Sequence, residues 1–221
     1  MGAGSLDIEI RGERLTLMPE RAVWWPSRRT VLVADLHWGK AETMRTAGVP
    51  VPRGTVHKPL ARLSDLARRL DPDRILVLGD LLHAGAGLTD DIVEDVSRWR
   101  LDFAPEIQVI PGNHDRALGR VAERWGLTEA DRVVIETPFA FTHDPADAPD
   151  GEFSWCGHLH PSVRVSGRGD SLKLPCFFVG EDMGVLPAFS TFTGGGGVPR
   201  DLAGSIYACA GDGVVAFSGA C

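Results

Sequence analysis

Residues 30–37 read TVLVADLH, an apolar run that ends in an acid and an imidazole. Residues 74–80 (RILVLGD) and 106–115 (EIQVIPGNHD) repeat the form. Short continuous runs of Val, Ile and Leu suit strands covered on both faces. Between them the period becomes helical. Leu60, Leu63, Leu66, Ala67 and Leu70 share one face and predict a helix from about Lys58 to Leu70, with Pro59 in its first turn. A second helix is expected over Thr89–Trp99, with Thr89 as N-cap and acids in the first turn. A third, short one should run from Arg116 to Trp125 and stop at Gly126. Strands alternating with helices imply βαβ units and a parallel sheet.

Outward from this centre the patterning turns to strands. LDIEI and RLTLM alternate apolar and polar residues around a tight turn at Gly12–Glu13. Beyond Gly126 come VVIET, FAFTHD, FSWCGH, VRVSG, LKLPCFFV, VLPAFS, SIYACA and VVAFSG, all short strand candidates. Hairpin signals fall around Gly167–Gly169 and Ala210–Gly213, and Gly194–Gly197 reads as a loop. No repeat and no interdomain linker is evident. The expectation is one domain over 1–221, of class α/β, with two packed sheets and flanking helices.

The 221 residues suffice for one substantial core, and 43% hydrophobic with 24% charged residues is ordinary for a globular protein. No apolar run approaches the length of a membrane span. MGAGSLDIEIRGERL lacks the basic-then-apolar form of a signal peptide, and Leu6 breaks the myristoylation pattern. Cys156, Cys176, Cys209 and Cys221 form no metal-binding or redox pair, so reduced thiols and a cytoplasmic location without membrane attachment are expected. The formal charge of -7 argues against a protein that coats nucleic acid nonspecifically. The charge is uneven, however. Lys40, Arg45, Arg53, Lys58, Arg62, Arg68, Arg69 and Arg74 outnumber Glu42, Asp65, Asp71 and Asp73, so that segment is net positive.

Polar clusters fall where strands should end: Asp35-x-His37, Gly79-Asp80, Gly112-Asn113-His114-Asp115, Thr142-His143-Asp144 and Gly157-His158-x-His160. Only His57, of seven histidines, lies apart from them. Loops after strand C-termini are where α/β sheets bind ligands. Imidazole and carboxylate without thiolate suit manganese, iron, zinc or cobalt. Asp80 is placed to bridge two ions, with Asn113 adding a neutral oxygen. Two ions about 3.5–4 Å apart can clamp the attacking and leaving oxygens of a phosphoryl displacement. Asp-x-His and Gly-Asp alone are weak signals, Gly-Asn-His-Asp and Gly-His-x-His more specific ones; all of them in this order point to a binuclear phosphoesterase.

In that order the motifs resemble the calcineurin-like metallophosphoesterase superfamily, over about Val31 to His160. The resemblance implies a four-layer α-β-β-α sandwich, two mixed sheets flanked by helices. It implies one divalent ion on Asp35, His37, Asp80 and His160, and a second on Asp80, Asn113, His143 and His158. A narrower likeness runs through ADLHWGKAETMRTAGVPVPRG, GDLLHAG, THDP, CGHLHP, LPCFF and LPAFSTFTGG. These are similar to the bacterial ligase-associated DNA damage response endonucleases. That implies manganese, a single-stranded DNA substrate, and functional association with a DNA ligase, a helicase and an exonuclease. Trp38 departs from the aliphatic residue expected there.

Within this frame the expected nucleophile is a metal-bridging hydroxide. His114, next to Asn113, is the candidate general acid, and Asp115 the group that orients it. His83 is either a phosphate contact or support behind the ligands, or a loop or helix-capping histidine one helical turn after Asp80. Lys40 and Arg45 are phosphate contacts or solvated surface. Trp38 and Trp155 are base-stacking or core residues. Arg62 and Arg69 are expected on the exposed face of their helix. Two other functions compete: a nucleotide or lipid-nucleotide pyrophosphohydrolase or phosphatase, and a non-catalytic scaffold. No apolar lid is evident for the first, and the second would lack ligands that are all present here.

Overall fold

A computed structural model of the chain describes residues 4–52, 55–166, 170–198 and 203–217. Arg53, Cys221 and the hairpin signal at Gly167–Gly169 lie outside the described residues. β1 (Leu6–Ile10), β2 (Glu13–Met18), β3 (Ala22–Trp25) and β4 (Thr30–Val33) form an antiparallel meander. Its first turn sits one residue earlier than expected, at Arg11–Gly12. Both residues have positive φ, the form that matches the twist of a two-residue hairpin.

From β4 the chain climbs through α1 (Lys40–Thr46) and α2 (His57–Leu70) to β5 (Arg74–Leu78). It continues through α3 (Asp90–Leu101) to β6 (Glu106–Ile110) and then to β7 (Leu127–Glu129). These strands are parallel, and the sheet order β1 to β7 is the chain order. Register aligns Val31 with Ile75 and Ile75 with Ile107, so β4, β5 and β6 end level with one another. Asp35, Asp80 and Asn113 therefore emerge along one edge.

The second sheet comprises β8 (Val133–Glu136), β9 (Phe139–Thr142), β10 (Phe153–Cys156), β12 (Ser171–Gly180), β13 (Met183–Val185), β14 (Gly204–Ala210) and β15 (Gly213–Phe217). β11 (Ser162–Ser166) pairs with β12 off the main path. β9, β10 and β13 run parallel; the rest are antiparallel.

Alternation along the strands sorts the core. Val31, Val33, Ile75, Val77, Ile107 and Val109 face Leu60, Leu63 and Leu66 of α2 and Ile92 and Val96 of α3. Leu32, Ala34, Leu76, Leu78 and Ile110 face the second sheet, against Phe139, Phe141, Phe153, Trp155 and Phe177. Trp25 meets Phe139 edge-on at 5.0 Å, and such pairs add about 0.5–1.5 kcal/mol beyond their buried area.

This is the expected α/β architecture of two mixed sheets flanked by helices. Among the described residues α2 and α3 form the layer on the first sheet, and α1 packs against the turn at Gly85–Gly87. The outer face of the second sheet carries a small cluster of Val163, Cys176 and Ala208.

Local expectations needed correction in three places. Residues 116–125 form no α-helix; a 3₁₀ segment covers Asp115–Arg120, followed by turns. Gly119 weakens a helix there, and the Asp115 carboxylate is held by backbone N–H groups of the neighbouring loop. Only the first residue of VLPAFS lies in a strand; the rest is a loop packed under Ala34 and Asp35. The seven-residue α1 was not anticipated. It is too short to be stable alone and starts at Gly39, whose φ is +83°.

Candidate metal centre

Five of the seven expected ligands adopt a backbone that L-residues rarely use. Asp35, His37, Asp80, His158 and His160 have φ between 48° and 67°. Such strain persists only where surrounding structure over-determines it, and it clusters at functional sites. Here a ladder of backbone bonds holds it. Asp35 N–H donates to Gly79 O, His37 N–H to Asp80 O, and Ser190 N–H to Asp35 O. Three motif glycines allow the close approach. A Cβ on Gly79 would lie 2.1 Å from His143 Nδ1, one on Gly112 2.3 Å from Asp80 Oδ1, and one on Gly157 2.6 Å from Leu78 O.

The donor atoms converge. His160 Nε2 lies 3.2 Å from Asp35 Oδ1 and 3.4 Å from His37 Nε2. His143 Nε2 lies 3.5 Å from Asp80 Oδ1, 3.1 Å from Asn113 Oδ1 and 3.1 Å from His158 Nδ1. Asp35 and Asp80 are buried carboxylates; burial raises the Asp35 pKa, the neighbouring His160 opposing it. Burial, reinforced by the charge of His160 and Lys40, pushes His37 down to about 2, so its ring is neutral and ready to ligate.

The arrangement fits cations. His143 Nδ1 is 3.0 Å from the Leu78 carbonyl, which only accepts, so Nδ1 carries the hydrogen. In a neutral ring Nε2 is then a lone pair, aimed at the oxygens of Asn113 and Asp80. Acceptors facing acceptors around two buried carboxylates are unfavourable until a positive ion lies among them. Asp35, His37 and His160 gather on one side and Asp35, Asp80 and His143 on the other, each set within 4.8 Å. His37, His83 and His114 form a third such set.

His114 donates from Nδ1 to the His83 carbonyl at 2.7 Å, and its Nε2 faces Asp80 Oδ2 at 4.0 Å. Asp115 does not orient this ring, as was expected. It accepts N–H bonds from Leu81, Leu82 and Gly112 and so braces the two ligand-bearing loops, because its short side chain turns inward from the 3₁₀ segment. His83 follows no helix; its ring stacks on His114 at 5.2 Å, and burial lowers its pKa.

The outer substrate candidates divide. Lys40 stands beside His37 in a narrow cleft with Lys58. Arg45 is tied to the buried Glu42 at 2.7 Å and to Pro52 O, and belongs to a separate polar groove at the start of α3. Trp38 is 2% exposed and packs edge-on against Trp99 and Trp125, so it has no free face for a base; Trp155 is buried likewise. The positive segment is no continuous rim. Arg68 pairs with Asp65, Arg69 with Glu20 and Arg74 with Glu136.

Arg62 is not on the exposed face. It donates to Phe189 O and Glu20 O and stacks on the Phe189 ring at 4.0 Å. Arg21 donates to Ala188 O and Ser190 O. The two arginines thus fix the loop that bonds Asp35. One signal for Arg62 was available: it lies four residues before Leu66, on the same helical face.

The sequence pattern of calcineurin-like phosphoesterases matches residues 28–175. Nuclease MPE of Pseudomonas putida is 34% identical, superposes with a TM-score of 0.82, and the match covers 93% of this chain and 97% of that one. The chain belongs to the calcineurin-like phosphoesterase family. As a member, this phosphoesterase is a metal-dependent hydrolase, and its Asp/His clusters are where divalent ions would sit. Two more distant structures also match. Yfce, a phosphoesterase from E. coli, is 14% identical with a TM-score of 0.42, over 83% of this chain and 88% of its own. The protein AQ665 from Aquifex aeolicus is 14% identical with a TM-score of 0.40, over 59% and 77%. No curated protein matches the chain. No helix among the described residues is long and apolar enough to cross a membrane.

Proposed function

We propose that this phosphoesterase is a phosphodiesterase that cleaves single-stranded DNA internally, as one domain over 1–221 acting in DNA repair. The observation that carries the reading is the likeness to a nuclease along almost the whole chain. Association with a ligase, a helicase and an exonuclease, and a cytoplasmic location, belong to the same proposal.

Asp35, His37, Asp80 and His160 would hold one divalent ion, and Asp80, Asn113, His143 and His158 the other, with manganese the proposed metal. Bound there, the ions supply Lewis-acid activation of the phosphoryl group and acidify water. The chain's own groups do the rest. His114 presents Nε2 toward the centre while the His83 carbonyl holds its Nδ1–H, the arrangement needed to pass a proton to a leaving oxygen. Asp115 keeps the Gly112 loop against Leu81 and Leu82, and so keeps Asn113 and His114 in register with Asp80. His114 Nε2 must be protonated at the start of the step and is neutral after it.

The test is incubation of the purified protein with manganese and circular single-stranded DNA, beside His114→Ala. Linearisation by wild type and not by the variant supports an endonuclease, since a circle offers no end. An intact circle, with hydrolysis of methyl p-nitrophenyl phosphate, would retain the phosphoesterase and exclude the DNA reading in favour of a nucleotide or lipid-nucleotide substrate.

A further inference from the structure

A single-strand nuclease must hold bases that have lost their stacking partners, and aromatic side chains do this at little cost in sequence preference. Among the described residues Phe192 is the only aromatic prominently on the surface, at 42% exposed. A lone exposed apolar residue needs no explanation by itself. Its setting supplies one.

Phe192 lines the narrow cleft that contains His37, Lys40 and Lys58. Its neighbour Thr191 also lines a second cleft of about 280 Å³, which contains His160, Lys173 and Thr193. His37 and His160 are candidate ligands of one ion, with their Nε2 atoms 3.4 Å apart. Thr191 thus forms a ridge between two clefts, each lined by one of these histidines, and Phe192 stands beside it on the His37 side.

The ridge is built rather than frayed. Ser190 is buried, and its N–H donates to Asp35 O at 3.1 Å. Its Oγ accepts the Phe192 N–H at 3.1 Å, and its carbonyl accepts from Arg21 at 2.8 Å and from Thr193 Oγ1 at 3.3 Å. A single residue, Thr191, separates this anchor from the exposed ring.

The charge also fits. Among the described residues Lys40, Lys58 and Lys173 form no ion pair with an acid, and Lys173 Nζ is held at 2.7 Å by the carbonyls of Gly194 and Gly195. In a chain of net charge -7, cations in both clefts beside the Thr191–Phe192 ridge suit a strand whose phosphates alternate with bases.

We propose that Phe192 is the platform on which an unpaired base next to the scissile phosphate stacks, with Lys40 and Lys58 meeting the backbone on the His37 side and Lys173 on the His160 side. This rests on the DNA reading above and assigns the stacking role that Trp38, being buried, cannot fill.

The test compares manganese-loaded wild type with Phe192→Ala, Phe192→Leu and Phe192→Trp, on a single-stranded oligonucleotide and on methyl p-nitrophenyl phosphate. Loss of one stack lowers kcat/KM on the oligonucleotide by roughly 5- to 150-fold, chiefly through KM. The loss on the small diester is at least about tenfold smaller, a split that a merely structural role for the ring would not give. Leu should behave as Ala, since it keeps bulk without a ring face, and Trp should restore the wild-type KM. In wild type, one abasic position at a fixed distance from the cut should reproduce the defect and add nothing in Phe192→Ala. Equal loss on both substrates, or no loss on the oligonucleotide, overturns the stacking assignment alone. Failure of wild type to cut the oligonucleotide while it hydrolyses the diester overturns the DNA reading, and the stacking with it.

Discussion

The two sheets contribute to the candidate metal centre in different ways. The first delivers Asp35, Asp80 and Asn113 from the level ends of parallel strands, and its carboxylates are buried. The second delivers imidazoles alone, from the ends of β9 and β10, and His158 and His160 stay half-exposed. The carboxylate floor thus comes from one sheet and imidazole walls from the other. Neither half stands by itself. His158 N–H donates to the Asp35 carboxylate, and the His143 ring is fixed by the Leu78 carbonyl of the first sheet. Buried charge needs donors from across the interface, so the packing of the sheets is part of the site.

Breaking the floor should do the most damage. Asp80→Asn removes the charge shared by both proposed ions. Turnover should fall by at least about 10³, the scale of a metal contribution of several kcal/mol. Metal content by atomic emission should drop well below two ions per chain; two retained ions would place the bridge elsewhere.

Breaking a wall should do less. His158→Ala leaves Asp35, His37, Asp80 and His160 intact, so the variant should keep one ion and lose the second, with activity partly recovered at high manganese. If both ions were lost, the two halves would be coupled more tightly than their geometry implies.

The third experiment reaches the support behind the floor. Arg62→Ala strands the carbonyls of Phe189 and Glu20, at about 1–3 kcal/mol each. Thermal unfolding should shift by several degrees. Arg62→Lys should recover only part of this, since a lysine cannot both stack on Phe189 and reach two carbonyls. Full stability in Arg62→Ala would remove the loop from the support of Asp35.

The smallest effect is expected at two buried cysteines, Cys156 at the end of β10 and Cys209 between the sheets. Burial pushes the thiols of Cys156 and Cys209 up to about 12, so both remain protonated at pH 8 and lack the thiolate that reacts. A disulfide reagent at that pH should leave both unmodified in folded Cys221→Ser protein. Labelling without denaturant would reveal opening between the sheets.

The sequence by itself determined the succession β4, α2, β5, α3 and β6, though not the short α1, because buried parallel strands and amphipathic helices have different periods. Asp35, His37, Asp80, Asn113, His143, His158 and His160 could be named from it as candidate ligands, because polar residues at the end of an apolar strand are local signals. It could not show that Trp38 turns into the core while Phe192 stays out, or that Asp115 braces loops and leaves the His114 ring to the His83 carbonyl. Nor could it show that Arg62 and Arg21 hold the loop under Asp35. Those outcomes depend on which surfaces meet across distances of many tens of residues. An exposed phenylalanine and a buried one are the same letter until the second sheet and the 186–193 loop are packed in place.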